Sequence, residues 1–165
     1  MPALGWDMEL VTVSMVRWNI RCLNNGHESV TYGPAGGMGG YGSWLGRTPA
    51  GEICEIDLFS DPLFEDVNSI VKLLRASDAT VDEATRDVLG FACDPSPAGQ
   101  NYTFRYTVCC PICGSEEVRY GPDDPAVVEF RRVPRVTHSK WDSIDPEQRV
   151  ELVKRTLVDR DWITE

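Results

Sequence analysis

Apolar positions recur at every second residue in two stretches of the chain. In residues 8–21, Val16, Trp18 and Ile20 alternate with Arg17, Asn19 and Arg21, which predicts a strand with one buried face. Tyr102, Phe104, Tyr106 and Val108 alternate in the same way with Thr103, Arg105 and Thr107, predicting a second such strand. Return strands near residues 30–32 and 118–120 each stop at a Gly-Pro pair, where a missing donor and turn geometry end sheet pairing. Residues 52–59 and 127–136 read as further strands, with Pro134 confining the latter to an edge or an end.

Helical periodicity appears in three places. Asp61 caps and Pro62 opens a helix whose stripe is Phe64, Val67, Ile70, Val71 and Leu74. A second begins at the capping box Thr80 to Glu83, buries Val81, Ala84 and Val88, and ends at Gly90. The third is capped by Asp145, has Pro146 at its first position and Gln148 completing a capping box, and carries Val150, Val153, Leu157 and Val158 on one side. Between the first two strand regions, the Gly-rich residues 33–51 predict a long loop. That loop contains Gly37-x-Gly39-x-x-Gly42, but Gly46 and Pro49 follow too soon for a phosphate-binding helix N-terminus.

The strand pairs frame a repeat. Residues 22–34 and 110–122 align without a gap and coincide at Cys22/Cys110, Gly26/Gly114, Glu28/Glu116, Val30/Val118, Tyr32/Tyr120, Gly33/Gly121 and Pro34/Pro122. In the second copy Cys110-Pro-Ile-Cys113-Gly114 is a turn that aims two thiolates at one ion, its glycine supplying a positive φ. A redox pair would need a following helix, whereas strands flank this motif. The repeat therefore predicts a tetrahedral metal site assembled from two segments 88 residues apart. The partner of Cys113 in the first copy is Asn25, so the fourth ligand must come from elsewhere. His27, two residues on, is the expected donor; Cys109 is its competitor, although it points to the opposite face of the strand from Cys110, and the remaining alternatives are water in the fourth place or a turn pair that keeps its shape without a metal. Cys54 and Cys93 sit among apolar residues and read as small core side chains.

Two knuckles on two hairpins sharing one ion resemble the zinc ribbon family. The resemblance covers residues 16–34 and 104–122, under a quarter of the chain. It implies zinc as the cofactor, with Cys22, His27, Cys110 and Cys113 as its set, and departs from the usual two cysteines per knuckle at Asn25. The resulting expectation is a single α+β domain: a zinc-ribbon-like β core from residues 8–34 and 101–136, an acidic strand-helix-helix insert at 52–94, and a C-terminal helix at 145–160.

Charge narrows the functional classes. The net charge is −10, and residues 52–94 hold 11 acidic side chains against Lys72, Arg75 and Arg86. Such a chain repels phosphate backbones at long range and favours a basic protein partner. Glu65, Asp66, Asp82, Glu83 and Asp87 lie off the apolar stripes and are expected to form the negative surface; Tyr41 and Trp44 on the Gly-rich loop are the next contact candidates, the alternative being that Trp44 and Leu45 fold back on the core. The expected function is a non-enzymatic, metal-stabilised interaction module, such as an immunity or inhibitor protein for a basic partner. Nucleic-acid association through the basic segment 131–140 is the alternative, and an enzyme the third, although no catalytic constellation can be named. No stretch reaches the roughly 18 apolar residues of a membrane span, and the chain opens without a basic start and apolar run, so a cytoplasmic protein is expected. Six cysteines in a reducing compartment read as metal ligands or buried thiols rather than disulfides.

Overall fold

The computed structural model describes residues 9–34, 42–74, 80–105 and 108–164. Helices and antiparallel sheets make an α+β fold in the order β1 (Leu10–Cys22), β2 (Glu28–Pro34), β3 (Ser43–Arg47), β4 (Ile53–Asp57), α1 (Pro62–Leu74), α2 (Val81–Ala92), β5 (Val118–Pro122), β6 (Val128–Pro134), α3 (Ser139–Asp142) and α4 (Pro146–Asp159). Residue contacts divide the chain into two compact units. One takes Met1–Val11, Gly42–Arg105 and Pro134–Glu165, the other Thr12–Tyr41 and Tyr106–Val133. No helix among the described residues is long and apolar enough to cross a membrane.

The first unit owns the large hydrophobic core. The β3–β4 hairpin, with Ser43 opposite Asp57 and Arg47 opposite Ile53, lends it Trp44, Cys54 and Ile56. Helix α1 turns Leu63, Val67 and Val71 inward, α2 adds Ala84, Val88 and Leu89, and Trp141, Val153 and Leu157 complete the cluster. Asp61 accepts from the Leu63 N–H at 2.9 Å and so opens α1 as its sequence predicts. The α4 capping box is also present, Asp145 accepting from the Gln148 N–H at 2.8 Å while the Gln148 side chain accepts from the Asp145 N–H at 3.3 Å.

Two predicted boundaries of α2 differ. Thr80 has φ −104° and ψ 3°, not the extended conformation that aims a hydroxyl at the third N–H, so no capping box forms. Nor does Gly90 end the helix, which continues to Ala92. Gly90 faces the Tyr102 carbonyl so closely that a Cβ would collide with it; packing, not termination, requires the glycine.

The alternating stretch from Tyr102 serves a different purpose from the one predicted. Tyr102 and Phe104 are buried in this core, and Thr103 exchanges backbone hydrogen bonds with Arg47 at 2.9 Å in an isolated bridge. It therefore leads in as a core-filling segment, not as a ribbon strand; Tyr106 and Thr107 lie outside the described residues. The Gly-rich region differs too, because residues 43–47 are regular strand there.

The second unit is a four-stranded sheet ordered β2-β1-β5, with β6 also pairing β1. Trp18 lies opposite Thr31 on β2 and Pro122 on β5, Ile20 opposite Ser29 and Tyr120, and Cys22 opposite Val118. Beyond the end of β5, the Arg17 N–H donates to the Val127 carbonyl at 2.9 Å, so β6 follows β5 along the same side of β1. The Trp18 and Tyr120 rings meet edge-on, 5.9 Å apart, on one face.

Candidate metal centre

Both knuckles repeat one backbone design. In the first, the Cys22 N–H donates to the His27 carbonyl at 2.9 Å and the Gly26 N–H to the Cys22 carbonyl at 3.0 Å. In the second, Cys110 donates to Ser115 and Gly114 to Cys110, both at 2.8 Å. Each turn closes through a glycine at positive φ, +67° at Gly26 and +72° at Gly114, a region that costs other L-residues steric strain. The β1–β5 pairing and a bond from the Leu23 N–H to the Glu117 carbonyl, 2.8 Å, bring the two turns together.

The result is a cluster of four donors. The ligand atoms of Cys22, His27, Cys110 and Cys113 all lie within 4.8 Å of one another, the one such group of His, Cys, Asp or Glu among the described residues. Cys22 Sγ is 3.7 Å from Cys113 Sγ, and Cys110 Sγ is 3.6 Å from His27 Nδ1. A tetrahedral zinc with bonds of about 2.3 Å to sulfur and about 2.0 Å to nitrogen has edges of about 3.8 Å between sulfurs and about 3.5 Å between sulfur and nitrogen. These two edges agree with the tetrahedral values to about 0.1 Å, and all four donors lie within 4.8 Å of one another, so the set fits a metal ion in number, chemistry and spacing. Burial pushes the Cys110 thiol up, whereas the Ser115 N–H, together with the Asn25 amide, draws Cys113 down to about 6, toward the thiolate that a metal requires. Cys109 is exposed and outside the cluster, and Cys54 and Cys93 are buried in the core of the first unit, where burial raises both thiols.

One contributor escaped sequence reasoning. The Asn25 side-chain amide donates to Cys113 Sγ at 3.4 Å, and neighbouring Asn24 donates to Ser115 Oγ at 2.9 Å. The signal was present in the repeat, where Asn25 aligns with Cys113.

The expected partner-binding residues scatter. Glu65, Asp82 and Glu83 are exposed. Asp87, expected on the surface, is instead 8% exposed and accepts from the Trp162 indole at 2.7 Å and from Arg105 at 3.4 Å. Asp66 is likewise engaged, accepting from the Trp141 indole at 2.9 Å and from Arg149 at 2.8 Å. In both cases an indole N–H, of buried Trp141 or half-buried Trp162, finds its acceptor in the off-stripe aspartate. Of the two readings of Trp44, the core placement holds and the contact role does not: it is buried with Leu45, the Arg86 guanidinium sits 3.7 Å above its ring and Phe64 meets its edge. Tyr41 lies outside the described residues.

Half of the arginine and lysine charge of the basic segment is neutralised internally. Arg131 pairs with Glu129 at 2.7 Å and covers the Tyr32 ring, Arg135 pairs with Glu55 and Glu9, and His138 lies 2.9 Å from Asp142. Arg132 and Lys140 are the exposed cations of this run. No protein-family model, curated protein or solved structure matches the chain, so a functional reading rests on this geometry.

Proposed function

We propose that the protein is a non-enzymatic interaction module whose second unit is a zinc-ribbon-like fold closed by one structural zinc. The observation that carries this reading is the cluster of three thiols and one imidazole within 4.8 Å of one another, two of its edges at tetrahedral distances, built from two knuckles of the same design. Four protein donors leave no open coordination position for water or substrate, the arrangement of a structural rather than a catalytic zinc. Three sulfurs and one nitrogen also select zinc over the oxygen-seeking cations calcium and magnesium. Elemental analysis of protein purified without chelator tests it: about one zinc per chain is expected, and metal-free protein would refute it.

The partner is a basic protein. Twenty acidic against eleven basic residues fall in the first unit, and six against five in the second, so nearly all of the charge of −10 belongs to the first. Glu65, Asp82 and Glu83 are the acidic side chains of α1 and α2 that stand exposed for it, once Asp66 and Asp87 are given to the indoles. Such a field accelerates encounter with a cation-rich surface, and salt screens it. Reversing Glu65, Asp82 and Glu83 to lysine should reduce the association rate with the native partner, captured from its own cell, by roughly tenfold or more at low salt. An unchanged rate would assign the acidity to solubility alone.

A further inference from the structure

The two knuckles share a backbone but not a ligand pattern, and the difference is confined to one swap. In the second knuckle the residue before the glycine, Cys113, reaches into the cluster, and the residue after it, Ser115, does not. In the first knuckle the roles reverse: Asn25 precedes Gly26, and His27 after it belongs to the cluster. The side chain at position 25 has not turned away, because its amide nitrogen is 3.4 Å from Cys113 Sγ.

Resting on the proposed metal site, we propose that Asn25 is a positioning residue for the ion: it occupies the place of a vacated fourth thiolate and donates a hydrogen bond to the most exposed ligand sulfur. Cys22 and Cys110 are buried, whereas Cys113 is exposed and open to water and competing ligands. A thiolate bound to a metal keeps lone pairs that accept hydrogen bonds, and a fixed donor there orients the sulfur and offsets part of its charge. A bound metal takes three thiolates and one neutral imidazole from this set, and the Asn25 amide holds in place at Cys113 a sulfur that packing holds at the buried Cys22 and Cys110. Asn24 is a built-in control, because it ties the same two knuckles through Ser115 Oγ without touching a sulfur.

The same geometry makes the fourth donor movable. A thiol at position 25 starts from a backbone that already carries a side chain to within hydrogen-bond distance of Cys113 Sγ. It can therefore replace the imidazole of His27.

Zinc affinity of the full chain, measured by competition with a chromogenic chelator, and the thiolate charge-transfer bands of the cobalt(II) form together test this. Asn25→Asp, which removes the donor at constant shape, should weaken zinc binding by about 10- to 100-fold, the range for outer partners of metal ligands. It should also shift the cobalt bands, while Asn24→Ala stays within about threefold of wild type. His27→Ala should lose zinc, and Asn25→Cys combined with His27→Ala should regain it, with charge-transfer intensity raised to that of four thiolates. Equal losses in Asn24→Ala and Asn25→Asp would reduce Asn25 to a structural tie and overturn the assignment, as would a double variant that fails to recover the metal. A wild-type chain that binds no zinc would overturn the parent reading as well, so the two failures are distinguishable.

Discussion

Removing the metal should unfold one unit and spare the other. The hydrophobic cluster of the first unit contains nineteen buried residues and none of the four donors. In the second unit, spanning fewer than 60 residues, the buried apolar side chains among those described are Met15, Ile20 and Val133, together with the thiols Cys22 and Cys110. Three such side chains are worth about 5–9 kcal/mol at about 1.5–3 kcal/mol each, before chain entropy is charged against them. A core of that size is marginal on its own. Zinc at a free concentration 100 to 1,000 times its dissociation constant adds about 2.7–4.1 kcal/mol, comparable with the whole net stability of a small domain. Hydrogen–deuterium exchange on protein stripped of zinc is the assay. Peptides covering β1, β2 and β5 should lose protection, while those covering α1, α2 and α4 keep it, and re-addition of zinc should restore the difference. Full protection of β1, β2 and β5 in protein verified to be metal-free would refute the reasoning.

Three further outcomes are expected. His27→Ala should lower zinc retention sharply, whereas Cys109→Ser, at an exposed thiol outside the cluster, should leave it near wild type; the reverse pattern in elemental analysis would transfer the fourth position to Cys109. Asp87→Ala leaves the Trp162 indole and Arg105 without their shared acceptor and should cost about 1–3 kcal/mol in denaturant unfolding, a loss that a merely surface aspartate would not show. Burial works against ionised Asp94, but the N–H groups of Lys140 and Ser139 outweigh it and hold the carboxyl below the usual aspartate range. A folded-state value below the unfolded one means that this contribution is fully present above about pH 4 and is lost as pH falls through the lower folded value. Asp94→Asn should therefore flatten the acid limb of a thermal-stability profile, and an unchanged limb would dismiss the N–H cradle as its source.

Local rules were legible where the relevant partners are close in sequence. The α4 capping box joins residues three apart, Asp61 and Pro62 open α1 within one turn, and residues 16–21 lie in β1, where the alternation is clear at Asn19, Ile20 and Arg21. The knuckle repeat is legible for the same reason, since Cys22, Gly26 and His27, or Cys110 and Gly114, fit within a single turn whose backbone bonds are local. Composition and spacing thus carried the choice of donor types and the α+β character.

Tertiary structure decided every question whose answer lies on another element. Alternation shows that Tyr102 and Phe104 have a buried face, but not which core receives them; the bridge to Arg47 assigns them to the first unit. Off-stripe position marked Asp66 and Asp87 as outward, yet Trp141 and Trp162, each 75 residues distant in the chain, claim their carboxylates. Trp44 sits in a Gly-rich stretch that reads as loop, and pairing with β4 turns it into core. The meeting of Cys22 and His27 with Cys110 and Cys113, and the reach of Asn25 to a sulfur 88 residues away, follow from the pairing of β1 with β5. Periodicity reports which side of an element avoids water, whereas the identity of its neighbour depends on long-range pairing that no local pattern contains.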